Sequence, residues 1–312
     1  MKFHLFPEDK VHYRWDNSLE PAIRVSPGDV VVYELREVSD GQITPQSTAD
    51  VLSRLDWDRL YPLAGPTYIE GAEPGDALEV EILDIHAKGW GWSAIIPGFG
   101  LLEEFSEPRL KIWDLSPGDH TYFREDIRIP LDPFCGTMGV APLEEGKHPV
   151  MPPGRHGGNM DLRHLTRGSR LLLPVWVEGA LFSLGDGHAA QGDGEVCVTA
   201  IEAPLHVSLR FRLRKKMGLL APRIITPGPL TRRYDEAGYY VTMGIAPDLM
   251  EASRRAVKEM VEYLSEEHQM EPWEAYMLCS IVVDLKITEV VDKPNWIVSA
   301  YLPRSIFLEK TG

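Results

Sequence analysis

The sequence predicts a mainly β protein, sandwich, jelly-roll or barrel-like, with an α+β portion at its C-terminal end. Three observations carry this. The 312 residues include 27 glycines and 25 prolines, roughly one residue in six, which implies many turns between short strands. Apolar runs of strand length recur up to about residue 214, and strong helical periodicity begins only at Pro247-Asp248. Apolar residues make up 44% and charged residues 25%, an ordinary globular mixture that should fold throughout.

Residues 1–214 are expected to form the β-rich domain. Three Pro-Gly-Asp tripeptides, at 27–29, 74–76 and 117–119, each precede a candidate strand: Val30 to Leu35, Ala77 to Leu83 and His120 to Phe123. Proline presets φ, glycine takes the positive-φ corner and aspartate can bond back to the turn amides. Leu78, Val80 and Ile82 alternate with Glu79 and Glu81, as in a strand with one wet face. Arg170 to Val177, Gly179 to Leu184 and Val196 to Ile201 read as buried strands, and Val207 to Leu213 alternates with arginines. Residues 215–312 are expected to form the α+β portion. Leu249, Ala252, Ala256, Val257, Met260, Val261 and Leu264 mark an amphipathic helix, and a second helix follows Pro272. Trp296 to Tyr301 and Arg304 to Leu308 are read as closing strands.

Charge and motif content narrow the function. With 47 acidic and 32 basic side chains, a formal charge of −15 repels phosphate backbones, so no nucleic-acid partner is expected. The chain has no run of eighteen apolar residues, and Pro7, Glu8 and Asp9 interrupt the region where a signal peptide would be apolar. The expectation is a cytoplasmic protein with no membrane partner. Cys135, Cys197 and Cys279 are odd in number and far apart, and read as reduced thiols. Neither Gly-x-Ser-x-Gly, a phosphate-binding P-loop nor a strand–GxGxxG–helix unit is present, which disfavours serine-triad and nucleotide chemistry.

Chemistry-bearing residues gather in two glycine-rich stretches. One is Gly154-Arg-His156-Gly-Gly-Asn159-Met-Asp161, and the other is Gly185-Asp186-Gly-His188-Ala-Ala-Gln191-Gly-Asp193-Gly-Glu195, read as a loop between two core strands. Carboxylates brought this close bind a cation or repel one another. Several carboxylates with one or two imidazoles suit a divalent metal, zinc first, with calcium as the alternative for an oxygen-rich shell. Gly-Asp-Gly is also an ordinary tight turn, so no single aspartate here is decisive. His164 could reach the same site, whereas His86, His120, His148 and His206 stand isolated. The polar loop from Asp40 to Thr48 could line a pocket.

Several stretches resemble the acetamidase/formamidase family: Gly65 to Asp76, Pro97-Gly-Phe-Gly100, Pro153 to Asp161, Gly179 to Glu195 and Ala300 to Phe307. The resemblance runs nearly end to end. It implies a hydrolase of short linear amides such as formamide or acetamide, releasing carboxylate and ammonia, with a divalent metal and a mainly β fold. It makes His156, Asn159, Asp161, Asp186, His188, Gln191, Asp193 and Glu195 the site candidates. The expected division of labour places the metal on His156, Asp161, Asp186 and His188. Glu195 or Asp193 acts as general acid–base, and Asn159 or Gln191 donates to the developing oxyanion. Two alternatives stay open: a non-catalytic calcium-binding β-sandwich, and an amidase using Cys135 as nucleophile. A homodimer is a further expectation, since an interface would help to exclude water from a small-substrate site.

Overall fold

The computed structural model describes residues 1–230 and 234–308. Two six-stranded sheets face each other. The first runs in the order Phe3–Leu5, Val30–Leu35, Leu205–Arg214, Ala77–Ala87, Arg170–Pro174 and Arg223–Ile225. The second runs Gly157–Asn159, Phe134–Gly139, Phe182–His188, Leu63–Ile69 and Val11–His12, with Ile23–Val25 lying parallel to Leu63–Ile69. Their inner faces meet where Tyr33 and Thr67 share a hydrogen bond of 2.8 Å and where Phe182 packs edge-on to Phe211. The protein is therefore mainly β, as composition and turn content require.

Local chemistry accounts for the elements. Gly28, Gly75 and Gly118 adopt φ of 96°, 93° and 82°, the corner conformation glycine allows at low cost. Asp29 and Asp76 accept hydrogen bonds from Ser26 N and Glu73 N and so close two of the three turns, whereas Asp119 turns instead to His120. Leu78, Val80 and Ile82 are buried, and Glu79 and Glu81 on the opposite face pair with Arg210, Arg212 and Arg214.

The C-terminal portion holds helix α1, Leu249–Glu267, helix α2, Pro272–Val282, and a three-stranded sheet. Asp248 caps α1 by accepting from Glu251 N, and α1 buries Ala252, Ala256, Val257, Met260, Val261 and Leu264. Pro272 opens α2, and Glu271 and Glu274 form a capping box. The sheet order is Tyr239–Ala246, Trp296–Pro303, Asp284–Glu289. Gly244 lets α1 lie close on this sheet, because a Cβ there would fall 1.8 Å from the Ala252 carbonyl oxygen.

Three segments differ from the sequence reading. Val196 to Ile201 is not a strand: Tyr276 Oη and Leu101 N both bond to the Val196 carbonyl, and Ser280 Oγ accepts from Cys197 N. Its backbone groups are satisfied by neighbouring elements rather than by a ladder. Arg304 to Leu308 is not a strand either, because the chain after Pro303 tightens into a 3-10 turn over Arg304–Ile306. The glycine-rich stretch beginning at Gly185 is not wholly a loop. Residues 185–188 complete the strand Phe182–His188, which puts Asp186 and His188 at the centre of the second sheet.

Candidate active site

His188 is the hub. The strand that carries it pairs with Phe134–Gly139 on one side and Leu63–Ile69 on the other, and the imidazole is 1% exposed. Its ring stands edge-on to Phe134 at 5.1 Å. Nδ1 lies 2.9 Å from Gln191 Oε1, and the same amide donates from Nε2 to the Asp161 carbonyl oxygen at 2.8 Å. The second bond fixes the amide orientation, so Gln191 Oε1 accepts from the Nδ1–H of His188. Nε2 is left to face the site.

Three carboxylates surround that nitrogen. Asp186 Oδ1 lies at 3.3 Å, Glu202 Oε2 at 3.1 Å and Glu195 Oε1 at 3.9 Å. Asp161 joins from the other glycine-rich stretch, and Asp161, Asp186 and His188 offer ligand atoms within 4.8 Å of one another, as do His188, Glu195 and Glu202. Among the described residues, no lysine or arginine pairs with any of these four acids. Burial, then the neighbouring Asp186, pushes the Asp161 carboxyl up to about 7. Burial, then Asp161, holds Glu195 well above the usual carboxylate range, and burial also raises Glu202. Burial opposes the charged form of His188, yet Glu202 and Asp186 outweigh it and raise the imidazole well above its ordinary value.

Backbone geometry shows how closely the cluster is held. Asp161, Asp186 and Glu195 adopt φ of 46°, 56° and 43°, each in the left-handed region that costs most residues about 1–3 kcal/mol. Strain of this kind concentrates where side-chain aim matters more than local comfort. Gly136 supplies the space: a Cβ there would lie 2.6 Å from both Asp161 Oδ1 and Asp186 Oδ2, and 2.8 Å from His188 Cε1. Asp161 Oδ1 and Glu202 Oε2 are buried without a hydrogen-bond partner, the latter close to His188 Nε2 but misaligned for a bond. One imidazole nitrogen, several carboxylate oxygens, two orphaned acceptors and a cradle without side-chain atoms together fit a divalent cation.

Not every residue singled out by sequence converges here. His156 lies outside the cluster, packed edge-on to Trp15 at 5.0 Å, with burial lowering its pKa to about 4. Asp193 also turns away: its N–H donates to Asp284 Oδ1 at 3.0 Å, and burial, then the neighbouring Asp284, raises its carboxyl against the lowering effect of Arg163 and His164. His164 belongs to that second group. Gln191 is 2% exposed, bonds His188 Nδ1 and the Asp161 carbonyl, and so orients His188 from within the core. Asn159 accepts from Thr137 Oγ1 at 2.7 Å, donates to the Met151 carbonyl at 3.3 Å, and borders the cavity beside the acids. Cys135 is 1% exposed, and burial pushes its thiol up, away from the thiolate a nucleophile needs.

Sequence reasoning missed Glu202, Tyr61 and Gly136. Glu202 reaches His188 through an isolated bridge, and its one signal was an acid standing alone in the apolar run from Val196 to Ala203. Tyr61 borders the same cavity, and its hydroxyl is raised by burial and by the four carboxylates. The cavity over the cluster has polar groups at its inner end, Asp186, Glu195, Glu202, Asn159, Thr199 and Ser39, and an otherwise apolar wall.

With this geometry in view, the sequence model of the Acetamidase/Formamidase family matches residues 4–148 and 143–309. The chain belongs to the acetamidase/formamidase family. It is 32% identical to an acetamidase of Mycolicibacterium smegmatis, with 81% of each chain covered. It is 28% identical to a formamidase of Methylophilus methylotrophus, covering 96% of this chain and 90% of that one. A solved structure of a gamma lactamase from Delftia acidovorans superimposes with a TM-score of 0.90 at 28% identity, covering 97% of this chain and 93% of the other. That superposition spans nearly the whole of both chains.

Proposed function

We propose that this chain cleaves the C–N bond of short linear amides by attack of water activated on a divalent cation, zinc first and calcium as the alternative. The chain is an amidohydrolase of the acetamidase/formamidase type, as its family and its relatives establish. The observation that carries the metal reading is the buried group of Asp161, Asp186, Glu195 and Glu202 around His188, with no lysine or arginine paired to it among the described residues. The imidazole nitrogen of His188 speaks for zinc, while the carboxylate oxygens around it suit calcium as well.

Amides resist water because nitrogen donation weakens the carbonyl and because an amide anion is a poor leaving group. Asp161, Asp186 and His188 would hold the cation, with His188 oriented by Gln191 and Asp186 bordered by Thr137 Oγ1 at 3.3 Å. A cation bound there supplies Lewis-acid polarisation of the carbonyl and a lowered pKa for water. Glu195 takes the proton as water adds to the carbonyl carbon and returns it to nitrogen as the C–N bond breaks. Ammonia then leaves and the carboxylic acid remains. Burial beside Asp161 raises the Glu195 carboxyl, which favours its holding the proton between the two steps. Asn159 Nδ2, lining the same cavity beside the acids, donates its second hydrogen to the developing oxyanion. The cavity measures about 50 Å³ on the scale where one water needs about 10–15 Å³, which is room for a molecule of a few non-hydrogen atoms.

The test is ammonia release from formamide and acetamide, before and after dialysis against a chelator, with elemental analysis of the same samples. Turnover that disappears with the metal and returns with zinc supports the reading. Turnover indifferent to complete removal of metal rejects the cation. No turnover in metal-replete protein, with calcium bound, would instead indicate the non-catalytic module, and loss on thiol alkylation alone would point to Cys135.

A further inference from the structure

The cavity over the acids has a depth order. Asp186 and Glu202 are each 3% exposed at its inner end, whereas Trp57 at its outer end is 44% exposed. Between them the walls are apolar, from Leu60, Trp92, Ile96 and Val198. Trp57 lies flat on Phe99, ring centroids 5.1 Å apart and planes within 13°, and both rings line the cavity. The indole thus forms a roof over a narrow chamber whose floor carries the reacting groups.

Both rings are tied to surrounding structure. Asp56 caps the 3-10 turn Trp57–Arg59 by accepting from Asp58 N, and Gln42 clamps Asp56 on two sides, accepting from Asp56 N at 2.7 Å and donating to its carbonyl at 3.2 Å. Phe99 sits between Gly98 and Gly100, both at positive φ, and Leu101 N bonds to the Val196 carbonyl at 2.8 Å, one residue beyond Glu195. The roof is therefore referenced to the same segment as the proposed general base.

We infer that the Trp57–Phe99 stack gauges acyl length, favouring amides with a small alkyl acyl group, acetamide and propionamide, over formamide on one side and over longer amides on the other. The inference rests on the amidase reading above and names the part of the molecule that sets its substrate range. Apolar walls reward each buried methylene by roughly fourfold, the transfer free energy of one such group. Formamide has no carbon with which to collect that gain, and an acyl chain that outgrows the chamber meets the two rings. The amide end is fixed at the acids, so the alkyl end points to the roof.

The experiment measures kcat/KM for formamide, acetamide, propionamide, butyramide and hexanamide with the metal-replete enzyme and with Trp57→Ala and Phe99→Ala. N-butylformamide reports an apolar group on the nitrogen side. For the unaltered enzyme the expected maximum lies at acetamide or propionamide, at least about threefold above formamide and at least about tenfold above hexanamide. Trp57→Ala should raise the ratio of hexanamide to acetamide by about tenfold or more, and Phe99→Ala should move it in the same direction. Trp57 is largely at the surface, so its loss leaves the core intact, and a circular-dichroism melt verifies each variant. A profile in which formamide is best, values that climb steadily to hexanamide, an unchanged ratio in both variants, or preference for N-butylformamide overturns the inference. Each of those results still leaves an active amidase, whereas failure of every amide would overturn the amidase reading itself.

Discussion

Two buried acid clusters draw on the same glycine-rich stretch, through Glu195 and Asp193, and resolve the same electrostatic problem in opposite ways. Asp193 and Asp284 gather around Arg163, which is 7% exposed, forms an ion pair with Asp284 and lies 5.1 Å from the Tyr234 ring. That cluster carries its own cation and functions as a brace between the glycine-rich stretch and the C-terminal portion. The cluster at His188 has four acids and one imidazole, two orphaned oxygens and a deliberate gap at Gly136. Compensation by a fixed guanidinium closes a site, while leaving it undone keeps coordination positions for something brought from outside.

The contrast can be broken from either side. Glu195→Gln carries the largest expected effect: a loss of turnover of about 10²–10⁴-fold, the range of general acid–base catalysis, with metal content by elemental analysis unchanged. Retained activity would remove Glu195 from its role. Arg163→Met attacks the compensated cluster, leaving Asp284 buried without its partner at a cost of about 3–5 kcal/mol, read as a lower midpoint in urea. If the loss is instead confined to metal affinity, the two clusters are one. Gln191→Leu frees the His188 ring and the Asp161 backbone carbonyl while leaving every carboxylate in place, and should weaken metal binding about 10–100-fold by competition with a chromogenic chelator. An unchanged affinity would show that the ring needs no such anchor.

Acid–base linkage sharpens the same comparison at a smaller scale. In metal-stripped protein Asp161 titrates at about 7, above its unfolded value of 3.8. Its contribution to stability is therefore fully present below 3.8 and is lost as pH rises through 7. Asp29, held at about 2 by His4 and the Lys2 amide, behaves oppositely, contributing above 3.8 and losing its effect as pH falls through 2. Thermal melts of stripped protein between pH 4 and 7 should thus decline with rising pH, and addition of metal should flatten the trend, because ligation favours the charged carboxylates. A stripped protein that gains stability across that interval would contradict the assignment of Asp161.

Much of this was legible in the sequence, for identifiable reasons. Turn tripeptides marked the strand entries because glycine and proline encode φ directly, and the buried face of α1 was read correctly because a helix repeats its contacts at three and four residues. Asp161, Asp186, His188 and Glu195 stood out because acids crowd there in glycine-rich backbone. Side-chain direction was not legible. Asp193 lies two residues from Glu195, yet its backbone N–H donates to Asp284 and its carboxyl lies among Asp284, Arg163 and His164. His156 precedes the short strand Gly157–Asn159 and projects towards Trp15. Glu202 joins the site through a bridge between segments with no local signature, and Gly136 contributes by the absence of a side chain.

The contact between Gly192 and the last third of the chain bears on when activity can arise. A Cβ on Gly192 would lie 2.1 Å from the Val283 carbonyl oxygen, and Leu285 N bonds to the carbonyl of Asp193 at 2.9 Å. During synthesis the acids and the imidazole leave the ribosome well before residues 283–285 that steady the turn between them. A nascent polypeptide halted short of those positions has every reactive group already made and lacks the contact that steadies the turn leading to Glu195.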